Sequence, residues 1–201
     1  MNKSLVILAF VLLAMGCVEN NGEKMEKRIA MIIAHEGFQD VEFGTPYKFF
    51  TDHGAKVDIF SNKNGTATGG FGLEVEVNGT LDQLKVDDYD AIVFIGGPGT
   101  PSLRKEPRAL EIAQEAVKKG KVLGAICWSP TILAKAGVLN GINATVWLGN
   151  DTEYGMTTNM VLAKYGANYA GQDLIIDGKI VTANGPPAAE KYAKAIWNLL
   201  E

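Results

Sequence analysis

Cysteine and histidine are scarce in this chain, with two of each, and that scarcity removes several kinds of chemistry. Cys17 and Cys127 lie far apart, so no CxxC redox or metal pair exists and no metal site is expected. His35 and His53 leave few candidates for a Cys-His catalytic pair. No run of Lys and Arg is interleaved with aromatics. The formal net charge is −4, so nucleic acid is not expected as a partner. No Gly-x-x-x-x-Gly-Lys phosphate loop occurs, and no cofactor is expected. The apolar run near the N-terminus is too short for a comfortable membrane span.

That run is nevertheless informative. Lys3 precedes the apolar stretch Ser4 to Met15, and Gly16-Cys17 follows it. The pattern fits the h-region of a secretory signal. The ending Leu-Leu-Ala-Met-Gly-Cys resembles a lipoprotein signal, cut before Cys17, which then carries the lipid. Residues 1–16 are therefore expected to be a signal peptide and residues 17–27 a polar tether. Residues 28–201 are expected to be the folded domain. The expected location is a membrane-anchored lipoprotein after export, with plain secretion as the alternative. If Cys17 carries lipid, Cys127 is the only thiol of the mature domain and no internal disulfide can form.

Hydrophobic residues make up 47% of the chain and charged residues 21%, the balance of an ordinary globular protein. The stretch 28–34 is almost continuously apolar, as in a parallel strand covered on both faces. Residues 40–53 read as a helix with Gly54 as its cap, and Pro46 predicts a kink or a restart. Strands are expected at 56–60, 73–77, 90–95 and 122–126. Residues 107–119 form the next helical pattern, with Leu110, Ile112, Ala113, Ala116 and Val117 facing inward. Strands at 174–177 and 179–183 flank an Asp177-Gly178 turn, and a helix over 187–200 closes the chain. Strands alternating with helices predict an α/β sandwich with a mostly parallel sheet.

Cys127 stands where the apolar strand 122–126 stops and a helix over 129–136 begins, with Pro130 in its first turn. A structural cysteine would more often sit inside the strand. The strand-to-helix corner is where such sheets place ligands and nucleophiles. A helix N-terminus nearby favours thiolate, so a depressed Cys127 pKa is expected. Two other stretches should reach the same sheet edge, namely His35 to Glu42 and Gly96 to Gly99. The N–H groups of Gly97 and Trp128 are candidates for an oxyanion hole, whereas Pro98 has no N–H. Glu42 is a candidate partner for the sulfur, although an acidic residue near a helix start also suits the helix dipole. His35 leaves the first strand at this edge and is a possible base, while a satisfied surface histidine is the competing reading. His53 reads as structural.

At these residues the chain resembles the ThiJ/PfpI family, over about Arg28 to Leu200. Phe38-Gln-Asp-Val-Glu42 is similar to its first-helix motif, with Glu42 in the place of the family's glutamate. Ile95-Gly-Gly97 is similar to its glycine loop, and Ala125-Ile-Cys-Trp-Ser-Pro130 to its nucleophile elbow. Ile175 to Thr182 and Gly185-Pro186 are similar to its C-terminal hairpin and last loop. The resemblance implies a flavodoxin-like α/β/α sandwich, usually a homodimer or a higher homo-oligomer. Two departures stand out. The peptidase branch has histidine immediately after the nucleophile, where this chain has Trp128. The intersubunit acidic residue of that branch falls near Ser102, which is not acidic. The stretch Thr145 to Trp147 offers tryptophan where the deglycase and glyoxalase branch often has histidine.

Three functions follow as expectations. One is an enzyme whose Cys127 thiolate adds to a small reactive carbonyl, or to its adduct on a modified protein. Glu42 would move a proton and the Gly97 and Trp128 N–H groups would hold the oxyanion. The second is a cysteine peptidase or amidohydrolase, with His35 as the base available. The third is a non-enzymatic redox sensor or holding chaperone, with Cys127 oxidised beside Glu42.

Overall fold

The computed structural model describes residues 26–201. Cys17, the expected signal peptide and nearly all of the expected tether lie outside the described residues.

Strand β1 (Arg28–Ile33) is followed by a short β2 (Glu36–Phe38) and helix α1 (Asp40–Asp52). Next come β3 (Lys56–Ser61), β4 (Thr66–Gly69), β5 (Glu74–Glu76), β6 (Gly79–Thr80) and β7 (Ala91–Phe94). Helices α2 (Thr100–Lys105) and α3 (Pro107–Lys118) lead to β8 (Val122–Ile126) and α4 (Pro130–Lys135). The remainder is β9 (Asn143–Ala144), β10 (Asn150–Asp151), β11 (Met156–Thr157), α5 (Thr158–Lys164), β12 (Asn168–Tyr169), β13 (Leu174–Asp177), β14 (Ile180–Ala183) and α6 (Ala189–Asn198).

The central sheet has seven strands in the order β13-β14-β8-β7-β1-β3-β6. Its pairings are parallel except β13 with β14, which the Asp177-Gly178 turn joins as an antiparallel hairpin. The alternation of β1 explains its continuous apolar run. Ile29, Met31 and Ile33 join the layer under α1 and α6, while Ala30 and Ile32 join the layer under α3 and α4. Both faces are covered, so neither set can be polar. This is the α/β sandwich that the alternating pattern predicts.

Two local expectations need correction. Pro46 does not restart α1, which runs unbroken from Asp40 to Asp52. Pro46 has no N–H, so the Glu42 carbonyl lacks its i+4 donor inside the helix. In α3 the buried face is Ala109, Ile112, Ala113 and Ala116, while Val117 is exposed. Small residues at this contact let α3 lie close to the sheet. The alternating stretch 73–77 forms the strand expected of it, a short β5 paired with β4 in a flanking hairpin, and β2 extends that hairpin into a separate three-stranded sheet.

Gly124 in β8 sets how closely α6 approaches. A Cβ there would collide with the Tyr192 hydroxyl and lie 2.7 Å from Ile196 Cδ1. Tyr192 is fully buried and its hydroxyl has no hydrogen-bond partner among the described residues. Gly124→Ala is therefore expected to cost roughly 1–3 kcal/mol by overpacking. Adding Tyr192→Phe should recover part of that loss, because it removes one of the colliding atoms. Urea denaturation of both single variants and the double variant measures this. Additive effects would contradict the contact.

Candidate active site

The C-terminal edge of the central sheet brings β1, β7 and β8 together, and the loop after each strand enters one cleft. Cys127 follows β8 directly and has φ 62°, the only non-glycine residue at positive φ among the described residues. That conformation costs an L-residue roughly 1–2 kcal/mol. Its neighbours hold it there. The Cys127 N–H donates to the Ala183 carbonyl at 2.9 Å, and the Trp147 N–H donates to the Cys127 carbonyl at 3.0 Å. Ser129 closes the turn from beneath. Its hydroxyl accepts from the Ile126 N–H at 2.8 Å and lies 3.0 Å from the Phe94 carbonyl and 2.7 Å from that of Ile126. Ser129 is fully buried and ties the end of β8 to the end of β7. In the sequence it reads only as the start of a helix.

Glu42 arrives from α1. The Gln39 side chain caps that helix by accepting from the Glu42 N–H at 2.8 Å, and the Gln39 N–H donates to the Gly96 carbonyl at 2.9 Å. The first turn of α1 is thereby fixed to the glycine loop, and the Glu42 side chain turns inward to full burial. It does not lie at the surface as a dipole-matching acid would. Asp40 has a different role. Its carboxylate accepts from the N–H groups of Phe71 and Leu73 at 3.0 and 2.8 Å, holding the β4–β5 turn over the cleft. Gly96 is required by space, since a Cβ would lie 2.5 Å from Cys127 Cβ and 2.9 Å from Glu42 Oε2. Gly97 takes φ 115°, which presents its N–H to the sulfur.

Burial dominates the electrostatics. It pushes the Glu42 carboxyl up to about 8, since neither carboxyl oxygen has a hydrogen-bond partner of good geometry among the described residues and the nearby Cys127 sulfur and Gly96 backbone pull it down only in part. Burial also pushes the Cys127 thiol up, and the charge on Glu42 and the hydrogen bond to it add to the rise. The N–H groups of Gly97 and Trp128 face the sulfur and oppose it. The expected depressed thiol pKa is thus corrected. Helix α4 begins three residues beyond Cys127 and has only six residues, so its terminus contributes little. The two acids titrate as a pair. The carboxyl gives up its proton first, near 8, and its charge then helps to keep the proton on the neighbouring thiol, against the pull of the two backbone donors.

The cleft holds about 560 Å³ and is lined by Gln39, Glu42, Gly97, Cys127 and Trp128 together with Trp147, Thr152, Phe71 and three prolines. His35 is not among them. Its ring nitrogens lie 3.1 Å from Glu36 Oε1 and 3.1 Å from the Asn64 carbonyl, on the far side of the β1 loop. His53 stacks on Phe49 at the end of α1 and hydrogen-bonds its carbonyl. Ser102 bonds the Gly99 carbonyl on the first turn of α2. Arg104 carries a role that no sequence pattern indicates. Its buried guanidinium bridges Asp151 and Glu153 and bonds Thr131 at 2.9 Å, which anchors the segment bearing Thr152 to α2 and α4. No cluster of acidic, histidine and cysteine side chains suited to a metal occurs among the described residues.

The DJ-1/PfpI family pattern matches residues 27–199, and the chain belongs to that family. It is 33% identical over 174 residues to the deglycase PfpI of Pyrococcus furiosus, covering 87% of this chain and 99% of that protein. It is 32% identical to the protein MJ0967 of Methanocaldococcus jannaschii, covering 98% of this chain and 96% of that one. Among solved structures, the ThiJ/PfpI domain protein of Brachyspira murdochii superposes with a TM-score of 0.80 at 27% identity, covering 87% of this chain and 97% of that one.

A carboxyl whose folded pKa lies near 8 against a reference of 4.5 makes stability depend on pH. The folded state holds the extra proton between those values. Its stabilisation is complete below about 4.5 and is lost as pH rises through about 8. A shift of that size is worth on the order of 5 kcal/mol. Glu42→Gln keeps the shape without the titration. Its stability relative to wild type is therefore expected to rise steadily between pH 5 and pH 8.5, by urea denaturation at each pH. A constant difference would contradict a buried, protonated Glu42.

Proposed function

We propose that this member of the DJ-1/PfpI family is a cysteine-dependent enzyme acting on small reactive carbonyls or their adducts on proteins. The observation that carries this reading is the constellation at the elbow. A single buried thiol has a protonatable carboxyl on one side, two backbone N–H groups on another, and no imidazole in the cleft. Relatives at comparable identity are named deglycases.

The chemistry follows from those groups. With Glu42 ionised, its carboxylate takes the Cys127 proton as the sulfur attacks the aldehyde carbon of a 2-oxoaldehyde. A carbon–sulfur bond forms, and the carbonyl electron pair moves to oxygen, beside the Gly97 and Trp128 N–H groups. Donors of this kind are worth about 3 kcal/mol each. Glu42 gives its proton to that oxygen and is left as a carboxylate. It then removes the proton from the same carbon and returns it to the neighbouring carbon, while the hydroxyl proton on the first carbon's oxygen passes to the oxygen of the second. The first carbon is oxidised to a thioester and the second is reduced to an alcohol, so no external oxidant is needed. Water cleaves the thioester, giving a 2-hydroxy acid and the free thiol.

Peptide hydrolysis asks for more. An amine leaving group must be protonated, normally by a positioned imidazole. Trp128 follows the nucleophile, and His35 is occupied outside the cleft. A peptidase is therefore the weaker reading. A homodimer or higher homo-oligomer belongs to the proposal, as does attachment to a membrane through lipid on Cys17. The Ser4 to Met15 run and the Gly16-Cys17 ending support the latter.

Methylglyoxal turnover is expected in wild type. Cys127→Ser should abolish it, Glu42→Gln should lower it about 10²–10⁴-fold, and His35→Ala should leave it within about twofold. A fluorogenic peptide should not be cleaved. Peptide cleavage lost in His35→Ala would restore the peptidase. No turnover of either substrate would favour a redox sensor or chaperone. For the anchor, intact mass of the membrane fraction should give a chain beginning at lipidated Cys17. A soluble cytoplasmic chain retaining residues 1–16 would contradict it.

A further inference from the structure

The cleft above Cys127 is far larger than the two-carbon unit that the chemistry consumes. At about 560 Å³ it falls in the range that holds drug-sized ligands. Its walls are Phe71, Pro98, Pro101, Trp128, Trp147 and Pro186. The polar side chains that line it, Gln39, Glu42 and Thr152, carry no cation. Arg104 lies buried nearby, and its guanidinium is already engaged by Asp151 and Glu153. A carboxylate or phosphate on the bound molecule would lose its water and meet an acidic floor with no counter-charge.

The rim points the same way. Phe71 is 83% exposed at the tip of the β4–β5 turn and yet lines the cleft. Gly70 and Gly72 flank it, and Asp40 fixes the turn through the N–H groups of Phe71 and Leu73. Trp147, whose ring packs against Gly185 beside Pro186, is 44% exposed. Large aromatic surface left open beside a reactive thiol gains by being covered with an apolar group.

We propose that the cleft recognises a neutral carbonyl compound bearing an aromatic substituent, with the carbonyl at Cys127 and the ring held among Trp128, Trp147 and Phe71. The proposal deepens the carbonyl reading above and rests on it for turnover, though not for binding. Contacts to a substituent remote from the reacting carbons act mainly on KM.

Two measurements test it on the full chain. In the first, acetophenone and acetone are titrated into Cys127→Ser and tryptophan fluorescence is followed. Saturable quenching by acetophenone alone is expected, weakened about tenfold when Phe71→Ala is added. In the second, initial rates are compared for phenylglyoxal, methylglyoxal and glyoxylate. Phenylglyoxal should exceed methylglyoxal in kcat/KM by about tenfold or more, glyoxylate should be poorest, and Phe71→Ala should collapse the ratio of the first two. Saturable acetophenone binding without turnover of any oxoaldehyde supports the recognition and removes the carbonyl reading. Equal responses to acetophenone and acetone, or equal kcat/KM for phenylglyoxal and methylglyoxal, overturn the recognition and leave the carbonyl reading standing.

Discussion

The Glu42 carboxyl is enclosed by protein and has few donors to ionise toward, so it keeps its proton until pH approaches about 8. Its one chemical neighbour of consequence is the Cys127 sulfur, and the surrounding backbone is arranged around that contact. Gly96 has no room for a Cβ because the two side chains meet across it. Gln39 caps α1 and bonds the glycine loop, which fixes where Glu42 enters. A carboxyl that remains neutral at working pH can donate a proton to an oxygen forming beside it. An ionised one cannot.

The second constraint is conformational. Cys127 sits in the left-handed region at the end of a buried parallel strand, and it stays there because both neighbouring strands and Ser129 bind the turn. The central strands are rigid, fully buried elements, so they support a strained residue at small relative cost. The loops that shape the cleft are held differently. Asp40 secures the Phe71 turn, and the buried Arg104 network secures the Thr152 segment. Reactivity therefore depends on the sheet, whereas selectivity depends on two separately anchored loops.

Much of this is legible in the sequence. A strand covered on both faces must be apolar throughout, which reveals 28–34 and 122–126 and hence the layered fold. An Asp-Gly pair between apolar runs reveals the β13–β14 hairpin. Cys127 is conspicuous because it ends such a strand just before a proline-led helix. Other features depend on residues distant along the chain. The Arg104 to Asp151 pair spans a separation that no local pattern marks. The thiol pKa depends on a balance of burial against two N–H groups, and proximity to a short helix does not predict its sign. Phe71 reads as a turn residue until the Asp40 carboxylate is seen to fold that turn over the cleft.

The central claim is that Cys127 and Glu42 titrate together, the buried carboxyl losing its proton near pH 8 beside a thiol that burial holds above its usual range. The most direct test is the rate of Cys127 alkylation by iodoacetamide across pH, in wild type and in Glu42→Gln. The account predicts a step near pH 8 in wild type that moves when the carboxyl is replaced by an amide. Superposable profiles would show a thiol titrating alone and would contradict the account.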